Sequence, residues 1–531
     1  MIRIAMIGGG PKCLFALLEL NDVLSDNEAQ TVQVDVYDPY PPGAGRVWNT
    51  TQPNELRLNV NSRIIDASSS LCDQTFNEFR NNALQGTTDE VFPPRALVGE
   101  YLSEQFQRLV QHGKLPVTHR ASAVHKVERQ AGQWLVTSDS WYDLYDEVVI
   151  ATGHGLAGYQ HEQKSATTIT AAELTVERSA DAQHKVPDRS TVRIRGAALT
   201  AYDVVMTLTE GRGGQWAPSE DGTPGRLRYV PSGKEPRLMT MLSRHCIPMT
   251  PKPMGLSTQA QDILHNYRLQ LRQWSNTSEH HTEQMWRILL ACAMDIAGSA
   301  GVPANEESLK QTVDNGRSEQ FSTLASPFEQ MRYTLDAHRG LKPQTHEWVW
   351  AIVWSGLYSE LVTALARYQW APADRKKFNA AATNLERMAF GPPEPTAQKL
   401  LALYDAGMLQ HQTSGTEHTG GVLTIDAVTA PPGVLAAAFP DGEPANELIS
   451  SLLSAGEVKI RTGERGLLTD ADGTCINAEG SRNETLSALG RPTEDPTLGH
   501  DTLNRTLHLE YRGWARRIMA QVNARSQKVA N

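Results

Sequence analysis

The stretch "IAMIGGGPKCLFALLEL", Ile4 to Leu20, decides the fold. Ile2 to Ile7 is apolar apart from Arg3, the pattern of a central parallel strand buried on both faces. Gly8, Gly9 and Gly10 form a turn, and Pro11 opens a helix in which Leu14, Leu17 and Leu18 fall on one face. A second apolar strand, Val32 to Tyr37, follows and ends on Asp38. This strand–turn–helix–strand unit is a cradle for a dinucleotide. Gly8 permits the tight turn, and Gly10 lets the backbone approach a pyrophosphate. The helix N-terminus then offers free N–H groups and the positive end of its dipole. Asp38 stands where a carboxylate accepts hydrogen bonds from ribose hydroxyls. Cys13 takes the position of the third fingerprint glycine. It is small and apolar, so it serves nearly as well, at the cost of a slightly wider helix–strand gap.

A second, less regular cradle begins at Val192. Val192 to Ile194 is strand-like, Gly196, Ala198 and Ala201 replace a glycine fingerprint with small residues, and Tyr202 to Leu208 is helical. Gly196, Ala198 and Thr200 are its candidate nucleotide contacts. A turn with no ligand is the competing reading. The next strand, Leu238 to Leu242, ends in Ser243 and Arg244. A hydroxyl and a guanidinium there suit the 2′-phosphate of NADP, where an acid would suit NAD. A surface ion pair is the other reading of Arg244. Residues 211–236 between them are rich in glycine and proline and read as an insertion.

Composition narrows the function. The 531 residues are 40% hydrophobic and 21% charged, with a net charge of −10. That suits a globular protein of several domains, and its field repels nucleic acid and anionic membranes. No uninterrupted apolar run nears the roughly 20 residues of a membrane span, and the N-terminus lacks a secretory pattern. A cytoplasmic location is the default expectation. The five cysteines Cys13, Cys72, Cys246, Cys292 and Cys475 show no CxxC spacing, which argues against a disulfide framework, a zinc site or a dithiol centre. His280 and His281 are adjacent and face apart on a helix, so no metal is expected.

The remaining chain divides by pattern. Residues 76–112 read as mainly helical, 117–136 as strands, and 167–189 as a polar linker. Residues 256–388 form a helical insertion. Its tryptophans Trp348, Trp350, Trp354 and Trp370 read as core packing rather than an aromatic substrate box. After "FGPPEP", residues 396–409 are helical and 422–460 mix strand and turn signals.

Several stretches resemble the FAD/NAD(P)-binding proteins related to class B flavin-dependent, N-hydroxylating monooxygenases. They are "IGGGPKCLFALLEL", "DPYPPGAGRVWNTTQPNELRLNVNS", "FPPRALVGEYL", "VVIATGH", "RGAALTAYDVVMTLTEGRGG", "YVPSGKEP", "GPPEPTAQKLLALYDAGML" and "ALGRPTEDPTLGHDTLN". The resemblance implies an α/β fold with two Rossmann-like domains, one for FAD and one for NAD(P), and a largely helical insertion. The implied divisions are 1–160 for the first part of the FAD domain, 190–255 for the first part of the NAD(P) domain, 256–390 for the helical insertion, and 391–525 for a returning segment that completes the nucleotide-binding domains. It implies FAD held by Gly8, Gly10, Pro11, Cys13, Asp38, Gly45 and Arg46, by Thr152 and Gly153 at an A-T-G hinge, and by Pro492 and Thr493 on the returning segment. Asn59 and Asn61 would face the isoalloxazine, or else cap turns. His154 would carry protons, and Lys234 and Arg237 would bind a substrate carboxylate. NADPH and oxygen would be co-substrates for hydroxylation of a small amine or amino acid through a flavin hydroperoxide. An FAD/NADPH reductase or oxidase with another acceptor and a non-catalytic flavin-binding sensor or assembly protein stay open. The longer FxGxxxH-type signature of monooxygenases is absent. Oligomeric state is not legible.

Overall fold

The computed structural model describes residues 1–531 except 84–90, 154–167, 179, 221, 224, 254, 278–280, 416–421, 494–497, 500, 501 and 531. Two parallel sheets organise it. The first has six strands in the order Thr474–Ile476, Arg482–Ala488, Glu147–Ile150, Ile2–Ile7, Val32–Tyr37 and Val117–Arg120. All its neighbours are parallel except the first pair. Ile4 and Met6 point into one core with Leu14, Leu17 and Leu18 of helix Pro11–Val23 and with Tyr511 and Trp514 of helix Glu510–Ala530. Ala5 and Ile7 point into the opposite core, against Val127, Trp134 and Val136 of a three-stranded antiparallel sheet. The period-2 alternation therefore buries both faces, as the unbroken apolar strand requires.

The second sheet has five parallel strands in the order Leu409–Thr413, Leu238–Ser243, Thr191–Arg195, Leu423–Asp426 and Thr168–Thr170. Here the linker reading of 167–189 is corrected: Thr168–Thr170 is an edge strand beside Leu423–Asp426. Three residues with one apolar side chain, Ile169, are too few to show alternation. A capping box between Thr170 and Glu173 then starts helix Ala171–Thr175. The insertion at 211–236 contains an antiparallel hairpin, Gln215–Pro218 with Leu227–Val230.

Helices Thr258–Ser275, Thr282–Ser299, Glu306–Asn315, His346–Leu365 and Pro372–Ala389 share a third core, in which Trp350 and Trp354 are buried and Trp348 and Trp370 half-buried. Helix His346–Leu365 is long and apolar enough to cross a membrane by length and composition, and its burial in this core accounts for that. Helix Pro327–His338 instead packs Phe328, Met331 and Leu335 under the second sheet. Two ion pairs tie the sheets together. Arg95 grips Asp203 through both guanidinium nitrogens at 2.5 and 3.0 Å, and Arg46 meets Glu177 at 3.1 Å.

Candidate nucleotide-binding site

The first cradle sits at the C-terminal edge of the first sheet. Gly8 has φ +99° and donates its N–H to the Tyr37 carbonyl at 2.9 Å. A Cβ there would stand 2.4 Å from the Ala151 carbonyl oxygen, so only glycine fits. Gly10 differs: it is the helix N-cap with φ −74°, and an added Cβ would meet nothing within 4 Å. The helix start has no side-chain cap and no acidic residue in its first turn, which leaves its N–H groups for an anion. Gly9 donates to Asp38 Oδ2 at 2.6 Å, and Tyr40 N–H donates to Asp38 Oδ1 at 2.8 Å. Burial pushes the Asp38 carboxyl up, while those two amides, His119 and Arg46 pull it down. A second glycine turn closes on the first. Gly43 donates to the Gly9 carbonyl at 2.7 Å, and a Cβ on Gly45 would lie 3.0 Å from Gly10 Cα. This open backbone cradle, with an acid at the second strand end, fits an ADP moiety.

Several expected contacts are placed differently. Cys13 is fully buried in the core and its thiol is pushed up by burial, so only its backbone can face a nucleotide. Pro11 occupies the first helical turn and contributes shape without a donor. Arg46 is engaged by Glu177 and joins the two domains rather than standing free over the pyrophosphate. Asn61 Oδ1 accepts from Arg63 N–H at 3.0 Å and caps the turn Ser62–Ile64, while Asn59 is half-buried. Thr152 and Gly153 follow strand Glu147–Ile150, with Gly153 at φ +61°. His154 and His280 lie outside the described residues. The Pro492 carbonyl accepts from Leu467 N–H at 2.9 Å, and buried Thr493 donates from Oγ1 to the Gly490 carbonyl at 3.0 Å. Gly490 packs over Lys12, where a Cβ would lie 2.9 Å from Lys12 Cγ, so this segment reaches the first helix start.

In the second cradle Gly196 has φ +114° and donates to the Leu242 carbonyl at 2.9 Å. Ala198 is the exposed N-cap of helix Leu199–Leu208, again without a side-chain cap or acid in the first turn. Ala201 is fully buried and fills the third fingerprint position. Thr200 Oγ1 lies 3.0 Å from Thr429 Oγ1. Arg244 is exposed just past the neighbouring strand and makes no ion pair among the described residues. Lys234 and Arg237 precede that strand, and Arg237 N–H donates to the Ser190 carbonyl at 2.7 Å. They therefore stand at the opposite end of the sheet from the cradle, away from any substrate carboxylate there.

Two elements of the site escaped the sequence. The Arg95–Asp203 link spans 108 residues, and the Ser243 Oγ–His411 Nε2 contact of 2.7 Å spans 168, with no local signal for either. Burial lowers the His411 pKa to about 4. A histidine kept neutral in the fold contributes stability above its unfolded pKa of about 6.5, and this is lost as pH falls toward 4. The urea midpoint should therefore drop between pH 6.5 and 4. The His338 ring, lowered likewise to about 4 by burial, adds to the same slope; His411→Asn should therefore reduce it, and an unchanged slope would show that His411 is not one of its sources.

A profile of the FAD-NAD(P)-binding family matches residues 5–155. The chain is similar to nitrosuccinic acid synthase npaA of Aspergillus oryzae, at 33% identity over 44% of this chain and 39% of that protein. It is also similar to the nitrosuccinate-forming L-aspartate N-monooxygenase of Streptomyces cremeus, at 31% over 45% of this chain and 41% of that protein. The aligned part thus spans about two fifths of the length of these curated relatives. Among solved structures, the FAD-bound cadaverine monooxygenase DfoA of Erwinia amylovora aligns with a TM-score of 0.50 at 10% identity, covering 98% of this chain and 95% of that one. Reduced ornithine hydroxylase PvdA of Pseudomonas aeruginosa gives 0.51 at 10%, covering 98% and 99%. These two likenesses establish the shared fold. The match to the FAD-NAD(P)-binding family lies on residues 5–155, which hold the first cradle.

Proposed function

We propose that this chain is an FAD-containing, NADPH-dependent monooxygenase that N-hydroxylates a small amine or amino acid. The observation that carries it is the pair of helix starts lacking side-chain caps, one at the C-terminal edge of each parallel sheet, in domains locked together by Arg95 and Asp203. One cradle suits a flavin nucleotide and the other a nicotinamide nucleotide. The similarity to L-aspartate N-monooxygenase over 45% of the chain supports an amino-acid substrate. Bound FAD supplies hydride acceptance and oxygen activation. The chain's own residues bind and orient. The amides at Gly10 and beyond receive the pyrophosphate, Asp38 accepts from ribose hydroxyls, and Arg244 meets the 2′-phosphate with Ser243 held in place by His411.

The purified protein should be yellow. NADPH should bleach it without air, and a hydroxylated amine should form only when oxygen and amine are both present. A colourless protein that refuses added FAD would overturn the proposal. Arg244→Ala should raise KM for NADPH by about 10- to 100-fold, the loss expected when a charge-assisted hydrogen bond of about 1.5–3 kcal/mol is removed. KM for NADH should stay put; an equal rise for both nucleotides would remove Arg244 from the 2′-phosphate.

A further inference from the structure

Arg95 divides its side chain between the two domains. It is the first residue of helix Arg95–His112. Its Nε donates to the Arg57 carbonyl at 3.0 Å, and its two terminal nitrogens donate to the two oxygens of Asp203 at 2.5 and 3.0 Å. All three guanidinium nitrogens are therefore in use, in a planar fork that a lysine ammonium cannot reproduce. The backbone beside it grips the same loop. Arg95 N–H donates to the Leu56 carbonyl at 2.9 Å, and Leu58 N–H donates to the Pro93 carbonyl at 2.9 Å. Three successive loop residues, Leu56, Arg57 and Leu58, are thus held by residues 93–95.

Each end of this connection leads to a nucleotide cradle. The loop runs directly into Asn59 and Asn61, the residues expected to face the isoalloxazine. Asp203 is the fifth residue of helix Leu199–Leu208, about 6 Å along the axis from the first, and that helix start belongs to the second cradle. The paired side chains are only 21% and 16% exposed, and burial pushes the Asp203 carboxyl up while Arg95 pulls it down. Arg46 and Glu177 also bridge the domains, but through a single contact of 3.1 Å that leaves the loop out.

We infer, on the FAD and NADPH reading proposed above, that Arg95 is a positioning residue that sets the flavin-facing loop against the nicotinamide-binding helix for hydride transfer. In that step the C4–H bond of NADPH breaks and an N–H bond forms at flavin N5. Both electrons pass with the hydride, so the flavin is reduced and NADPH becomes NADP+. A misplacement of about 1 Å costs such a reaction about 100-fold in rate.

Stopped-flow bleaching by NADPH without air tests this. In Arg95→Lys and the near-isosteric Asp203→Asn, the rate at saturating NADPH should fall at least about 10-fold, while Kd for NADPH and for FAD stays within about 3-fold of the parent. Glu177→Gln removes the other interdomain pair and should bleach like the parent. Hydrogen exchange of the full-length protein gives a second readout. Asp203→Asn, a change in the second domain, should speed exchange at the Leu58 and Arg95 amides of the first by at least about 10-fold and leave strand Ile2–Ile7 unchanged. Variants that bleach at the parent's saturated rate, variants that lose affinity instead of rate, equal slowing by Glu177→Gln, or unchanged exchange would each overturn the inference alone. A parent that NADPH fails to bleach would overturn the redox reading itself, and the hydride role with it.

Discussion

Gly10→Val loses flavin affinity by at least about 100-fold, equivalent to about 2.8 kcal/mol, while the thermal midpoint of the apoprotein stays where it was. The backbone at Gly10 has φ −74° and ψ −169°, extended values that valine adopts without strain. A Cβ added there meets no protein atom within 4 Å. Any loss must therefore come from the space where the pyrophosphate is expected to approach the helix start. Gly8→Ala makes the contrast. It places a methyl 2.4 Å from the Ala151 carbonyl oxygen on a backbone at φ +99°. The conformation costs about 1–3 kcal/mol, and the clash adds about 1–3 kcal/mol. Gly8→Ala should thus lower stability with or without flavin. Fluorescence titration with FAD and a thermal melt of each apoprotein check both. Retained flavin binding in Gly10→Val would mean that the bend does not hold the diphosphate.

Arg517→Ala is expected to destabilise the first domain strongly. Glu147 is fully buried, and Arg517 reaches both its carboxylate oxygens, at 2.6 and 3.1 Å. Ser487 and Trp514 complete the cluster, so one ion pair joins strands Glu147–Ile150 and Arg482–Ala488 to helix Glu510–Ala530. Truncating the arginine strands a buried carboxylate, which costs about 3–5 kcal/mol. Replacing both charges, as Glu147→Gln with Arg517→Met, removes the stranded charge and should recover most of that loss. Urea midpoints of Glu147→Gln, Arg517→Met and the double variant close the cycle. If the double variant is as unstable as Arg517→Ala, the pair is contributing more than mutual neutralisation.

The parts legible in the sequence were those where local pattern and tertiary role coincide. Ile2–Ile7 and Val32–Tyr37 are apolar throughout because both faces of the sheet are covered, and the structure assigns both strands to those residues. The helical region was visible because its apolar spacing is long and regular. Thr168–Thr170 was not, since its pairing partner lies more than 250 residues away. Arg46 illustrates the limit for the site: its position beyond the second strand is readable, but its partner Glu177 belongs to another domain.

The first sheet places Arg482–Ala488 directly against Glu147–Ile150. During synthesis that edge has to wait for more than 300 residues to emerge, on the order of 15 seconds to a minute at about 5–20 residues per second. Throughout that interval the nascent chain presents Val148, Val149 and Ile150 as an open, apolar strand edge. Chaperone capture on the ribosome and sensitivity to translational pausing follow from the way this sheet is threaded.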